Sequence, residues 1–149
     1  MQFKWRLQRL LDLKEKEEDV KRDELFALME QTTTVRGRML LEQAGYRRLL
    51  ADLRYEQGDL RLARQQVFLG YAHVFDAGIR QLQERLGKLD ELQRLKTAEI
   101  LEIRKFRKSL EKLRQKANDQ FVKQQQKIEQ TQTDEYATLR FARQVIAQS

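Results

Sequence analysis

No cysteine and no proline occur among the 149 residues, and there is a single histidine. Without thiols there is no disulfide framework, no thiol nucleophile and no cysteine-ligated metal. His73 alone cannot build a multi-histidine metal site. The six glycines stand isolated at 37, 45, 58, 70, 78 and 87, so no glycine-rich phosphate loop exists. No apolar run approaches the roughly 18 to 20 residues of a membrane span, and no apolar leader core follows the start. The expectation is a cytoplasmic chain that is not transmembrane. Strict apolar–polar alternation is nowhere sustained, which excludes strands. Aromatics make up only 8% of the chain, little for a globular core of this length.

What is present is charge, 36% of all residues, together with abundant Leu, Gln and Ala. These are strong helix formers. From Leu7, steps of three and four reach Leu11, Lys14, Glu18, Lys21, Leu25, Leu28, Thr32, Val35, Met39, Glu42, Tyr46, Leu49 and Leu53. A second such seam runs through Phe75, Ile79, Leu82, Leu86, Leu89, Gln93, Lys96, Ile100, Ile103, Arg107 and Leu110. Each is a narrow heptad stripe that a lone helix cannot bury. The pattern predicts an all-α fold, a long antiparallel two-helix coiled-coil hairpin in one domain over residues 1–149. Helix one is expected over about residues 3–55, the turn within about 56–68, and helix two over about 60–147.

The one good turn signal is Gln57-Gly58-Asp59, with Asp59 placed to cap the second helix. A turn at Gly58 pairs residue i with roughly residue 117 − i. Helix two then overhangs helix one. Beyond Leu113 the apolar pattern thins through the Gln-rich KQQQKIEQTQTDE, so the tail 115–149 is expected to be mobile unless a partner holds it.

No catalytic set emerges, and no cofactor is expected. His73 has Asp76 at i+3 but no neighbouring nucleophile; a solvated helix pair is the simpler reading. Net charge is +7. Residues 80–116 hold twelve bases against six acids, which would allow non-specific phosphate or anionic-membrane binding. The acids are interspersed and no reader module appears, so no specific nucleic acid is expected. The opening FKWRLQRLLDLKEKEEDVKR turns acidic at once, with seven acids against four bases over 11–24. That argues against both a membrane anchor and a nucleic-acid arm. Large side chains gather toward the turn, Tyr46 and Leu49 on helix one, Tyr71 and Phe75 on helix two. They either pack the hairpin end or form an exposed docking patch.

Three segments resemble the FliJ proteins of the bacterial flagellar type III export apparatus. They are the aromatic–basic opening Phe3 to Glu17, the segment Lys108-Ser109-Leu110-Glu111-Lys112-Leu113, and Asp134-Glu135-Tyr136-Ala137-Thr138-Leu139-Arg140. The resemblance implies a non-enzymatic coiled-coil stalk whose open end enters the pore of the hexameric flagellar export ATPase. It also implies contact with the cytoplasmic domain of the export-gate membrane protein, handling of export chaperones, and a peripheral position at the inner face of the cell membrane. By that resemblance Tyr46, Leu49, Tyr71, Phe75 and Ile79 are candidates for gate contact. Phe3, Trp5, Arg6, Arg9, Leu139, Arg140 and Phe141 are candidates for contact with the ATPase ring. The rival readings are a stalk of a virulence-type secretion system, a basic coiled coil on nucleic acid or anionic membrane, and a generic dimerising scaffold.

Overall fold

The computed structural model describes residues 2–55 and 60–148. Two helices account for nearly all of them, α1 (Gln8–Tyr55) and α2 (Leu60–Gln148), and no strand occurs among the described residues. The chain is an all-α helical hairpin, as its heptad stripes require. It falls into two units, Met1–Glu17 with Ile103–Ser149, and Glu18–Glu102.

In the second unit α1 and α2 run antiparallel: Glu24 meets Lys96 low in the numbering of α1, and Tyr46 meets Phe75 high in it. Its buried apolar positions are Val35, Leu89 and Ile100. Two buried polar side chains interrupt the stripe, Glu18 and Thr32. Thr32 Oγ1 donates to the Leu28 carbonyl at 3.0 Å and accepts from Gln93 Nε2 at 2.6 Å. A polar pair in a seam costs stability relative to a hydrophobic one but penalises any slip that would leave it unpartnered. Glu18 is held by Arg22 at 3.1 Å, one turn along the same helix.

Next to this layer lies a four-charge cluster. Lys96 Nζ sits 2.7 Å from Glu24 and 3.6 Å from Glu99, while Lys21 Nζ sits 3.2 Å from Glu99 and 3.8 Å from Glu24. The hydrogen bond from Lys96 holds the Glu24 carboxyl below the usual carboxylate range, and that from Lys21 does the same for Glu99. The Glu24 bond in turn raises Lys96. The carboxylates' contribution is therefore present above the ordinary carboxylate pKa and is lost as pH falls through their lowered values. The Lys96 contribution is complete below the ordinary lysine pKa and is lost as pH rises through its raised value. The cluster is intact across the neutral range. In Lys96→Met, a carboxyl NMR titration is expected to move the Glu24 midpoint up while Glu99 stays depressed by Lys21. A larger rise at Glu99 than at Glu24 would contradict this assignment.

Three boundaries differ from the sequence expectation. Glu24 was expected opposite residue 93 and instead faces Lys96, so the register is shifted by about three residues. Helix α2 begins at Leu60, where it was expected, but the turn region does not reach 68: residues 60–68 are helical, and no glycine interrupts them. The Gln57-Gly58-Asp59 signal lies outside the described residues. Helix α1 begins at Gln8 rather than near Phe3. Lys4, Arg6 and Arg9 place positive charge where the helix dipole already presents a positive end, and the Gln8 amide donates to the Trp5 carbonyl at 3.2 Å to close a turn instead.

In the first unit the buried positions are Leu11, Ile103 and Leu110. The segment ahead of α1 lies back on α2. The Phe3 ring packs on Phe121 with centroids 5.6 Å apart, and Arg114 stands 5.8 Å over the Phe3 ring while its Nε donates to Gln8 Oε1 at 2.8 Å. Lys14 similarly covers Phe106 at 5.2 Å. Beyond this, α2 continues to Gln148, and every residue from 126 to 148 is exposed.

Candidate protein-docking surfaces

The candidates for gate contact all fall in the second unit. Phe75, Ile79 and Leu82 come to the α1-facing side because they continue the heptad stripe of α2, and Tyr46, Leu49 and Leu53 continue that of α1. Tyr46 is the centre of a ring cluster. Its ring lies 5.8 Å from Phe68, tilted, and 6.0 Å from Phe75, edge-on. Gly45 lies beside this packing, and a Cβ there would touch the Phe75 ring at an ordinary contact distance of 3.6 Å. Tyr46, Leu49, Phe75 and Ile79 are half-buried, whereas Tyr71 is 55% exposed.

Beside the rings is a hollow of about 170 Å³ lined by Leu49, Leu53, Val67, Phe68 and Tyr71, with Asp52 and Arg64 among its walls. Leu62, Val67, Leu69 and Val74 add further exposed apolar surface to the same part of α2. Tyr46 contacts both Phe75 and Phe68, and Phe68 shares the hollow with Leu49 and Tyr71; the residue that sequence reasoning missed is Phe68. It stands seven residues before Phe75 on the α2 stripe, so continuing that stripe backwards reveals it. The expected turn region hid it.

The candidates for ring contact fall in the first unit, and they do not form one cluster. Phe3 and Trp5 are half-buried beside the start of α1, and Arg6 and Arg9 are exposed. Leu139 and Phe141 are exposed, as is Arg140. Phe3 sits at the level of Phe121, and Leu139 lies eighteen residues further along the same helix, on the order of 27 Å at 1.5 Å per residue. The terminal stretch of α2 therefore presents its own apolar side chains, Tyr136, Leu139, Phe141 and Val145, with no segment of α1 numbered to reach it.

No group of three or more histidines, cysteines or acids that could hold a metal occurs among the described residues. None of the described helices is long and apolar enough to cross a membrane. One surface is built of half-buried rings and the other of an exposed helix.

No curated protein and no solved structure matches the chain. A protein-family model does match, over residues 3–145, and its description is Flagellar FliJ protein.

Proposed function

Because the chain belongs to the flagellar FliJ family across nearly its whole length, we propose that it is the coiled-coil stalk between the export ATPase and the export gate. Membership gives it a role in flagellar protein export, within a family of non-catalytic components of that apparatus. The finer reading has the terminal part of α2 entering the pore of the hexameric ATPase, with Leu139, Arg140 and Phe141 meeting the ring loops first. Phe3, Trp5, Arg6 and Arg9 follow at the level of Phe121. The ring cluster around Tyr46, with Leu49, Tyr71, Phe75 and Ile79, contacts the cytoplasmic domain of the gate protein. Export chaperones are handled by the same stalk, which works in the cytoplasm at the inner face of the membrane.

One observation carries this reading: α2 runs exposed from residue 126 to 148 and still carries Tyr136, Leu139, Phe141 and Val145. Large apolar side chains on an uncovered helix favour burial against another protein, and a single helix fits a narrow pore where a globular domain would not. Co-purification with the export ATPase, followed by its ATP hydrolysis rate with and without this chain, tests the assignment. Binding and a raised rate are expected. Neither binding nor a change in rate would overturn the stalk reading.

A further inference from the structure

In the second unit the buried positions, Glu18, Thr32, Val35, Leu89 and Ile100, are confined to residues 18–35 and 89–100. Between residues 36 and 88 no described residue is buried, although Met39, Tyr46, Leu49, Phe75 and Ile79 continue the stripe. All six glycines of the chain also lie in this interval. Gly37, Gly45, Gly70, Gly78 and Gly87 are inside helices, where glycine is the least favourable residue after proline. At Gly45 and Gly78 an added Cβ would meet Phe75 and Glu42 respectively. At Gly37, Gly70 and Gly87 it would meet nothing within 4 Å. Packing therefore gives no reason for glycine at these three positions. Alanine would fit each and strengthen the helix. Weak helix propensity, a half-buried seam and the hollow at Leu49 and Phe68 all occur in the same interval.

We infer that residues 37–55 and 60–87 form a glycine-weakened clip that unfastens locally while the Thr32–Gln93 layer and the Lys21–Glu24–Lys96–Glu99 cluster stay closed. The open state exposes the Tyr46, Phe68 and Phe75 rings, which shield one another when the clip is shut. A partner that reads those rings selects the open state, and its apparent affinity scales with the open fraction. Identifying that partner as the gate protein's cytoplasmic domain rests on the function proposed above. The local opening itself does not.

Native-state hydrogen exchange on the full chain, without partner, tests the opening. Amides within 37–55 and 60–87 are expected to exchange at least about a hundredfold faster than those within 20–35 and 89–100, as local opening below the global transition requires. The triple variant Gly37→Ala, Gly70→Ala, Gly87→Ala is expected to slow exchange in the clip roughly ten- to a hundredfold, two- to fivefold per position. Rates within 20–35 and 89–100 are expected to hold. Equal protection across the unit, or equal slowing everywhere in the variant, would overturn the clip. The same variant should bind the gate domain more weakly by a similar factor; unchanged binding would show that the rings are read without opening and would overturn the selection step. If the wild-type chain does not bind the gate domain at all, the gate reading fails and the exchange comparison still decides the clip.

Discussion

Replacing Leu110 by alanine is expected to cost about 2 to 4 kcal/mol of stability, within the span seen for leucine truncation in packed interiors. Leu110 is 4% exposed and lies in the same unit as Leu11, also 4% exposed. Among the described residues of that unit, Ile103 is the one other buried apolar side chain. A core of three side chains has no redundancy, so the lost contacts are not recovered by neighbours closing in. The loss amounts to at least tenfold in the folding equilibrium, since about 1.4 kcal/mol is a factor of ten. Chemical denaturation followed by helical ellipticity measures it. Leu62→Ala is the control, because Leu62 is 69% exposed and surface truncations of this kind stay within about 0.5 kcal/mol. Equal effects for the two variants would mean that the Leu11–Ile103–Leu110 group is not a core.

The second large effect concerns binding. The pair Tyr71→Ala with Phe75→Ala is expected to weaken association with the gate domain at least tenfold, and by more than a hundredfold if both rings act as central anchors, each worth about 2 kcal/mol or more. The pair Phe3→Ala with Phe141→Ala should leave that affinity unchanged and reduce stimulation of the ATPase instead. Phe75 also packs on Tyr46 and beside Gly45, so its truncation disturbs the fold as well as the surface. Tyr71→Ala alone separates the two effects, since Tyr71 is mostly exposed and its loss costs little stability. If it leaves gate binding intact while the pair abolishes it, Phe75 and not Tyr71 carries the contact. If both pairs impair the same contact, the ends have been assigned the wrong way round.

The all-helical hairpin was legible because its signals are redundant. The absence of proline, the helix-forming composition and two heptad stripes all say the same thing over dozens of residues. Register was less legible. It depends on where the chain reverses, and a shift of three residues leaves a heptad stripe nearly superimposed on itself, so periodicity alone hardly distinguishes the two. The distinction comes from particular pairs: Gln93 has to find Thr32, and Lys96 has to find Glu24 and Glu99. In the sequence Thr32, Gln93 and Lys96 are irregular positions of the stripes and Glu24 and Glu99 lie beside them, and only their geometry shows that they specify one another. Phe68 was hidden by a turn placed too broadly. The ring-contact candidates rest on the family resemblance, which has the open end of the hairpin entering the ATPase pore as one site. The laying back of Phe3 on Phe121 shows that Leu139 and Phe141 occupy a different level of α2.

That laying back of the N-terminal segment has a spectroscopic consequence. The chain has one tryptophan, Trp5, half-buried in the stretch held by the Phe3–Phe121 and Arg114–Gln8 contacts. Its emission reports on that stretch and carries no direct signal from Tyr46, Phe68 or Phe75 in the other unit. Fluorescence then follows that stretch while ellipticity follows both helices, and the two transitions coincide only if the molecule unfolds in one step.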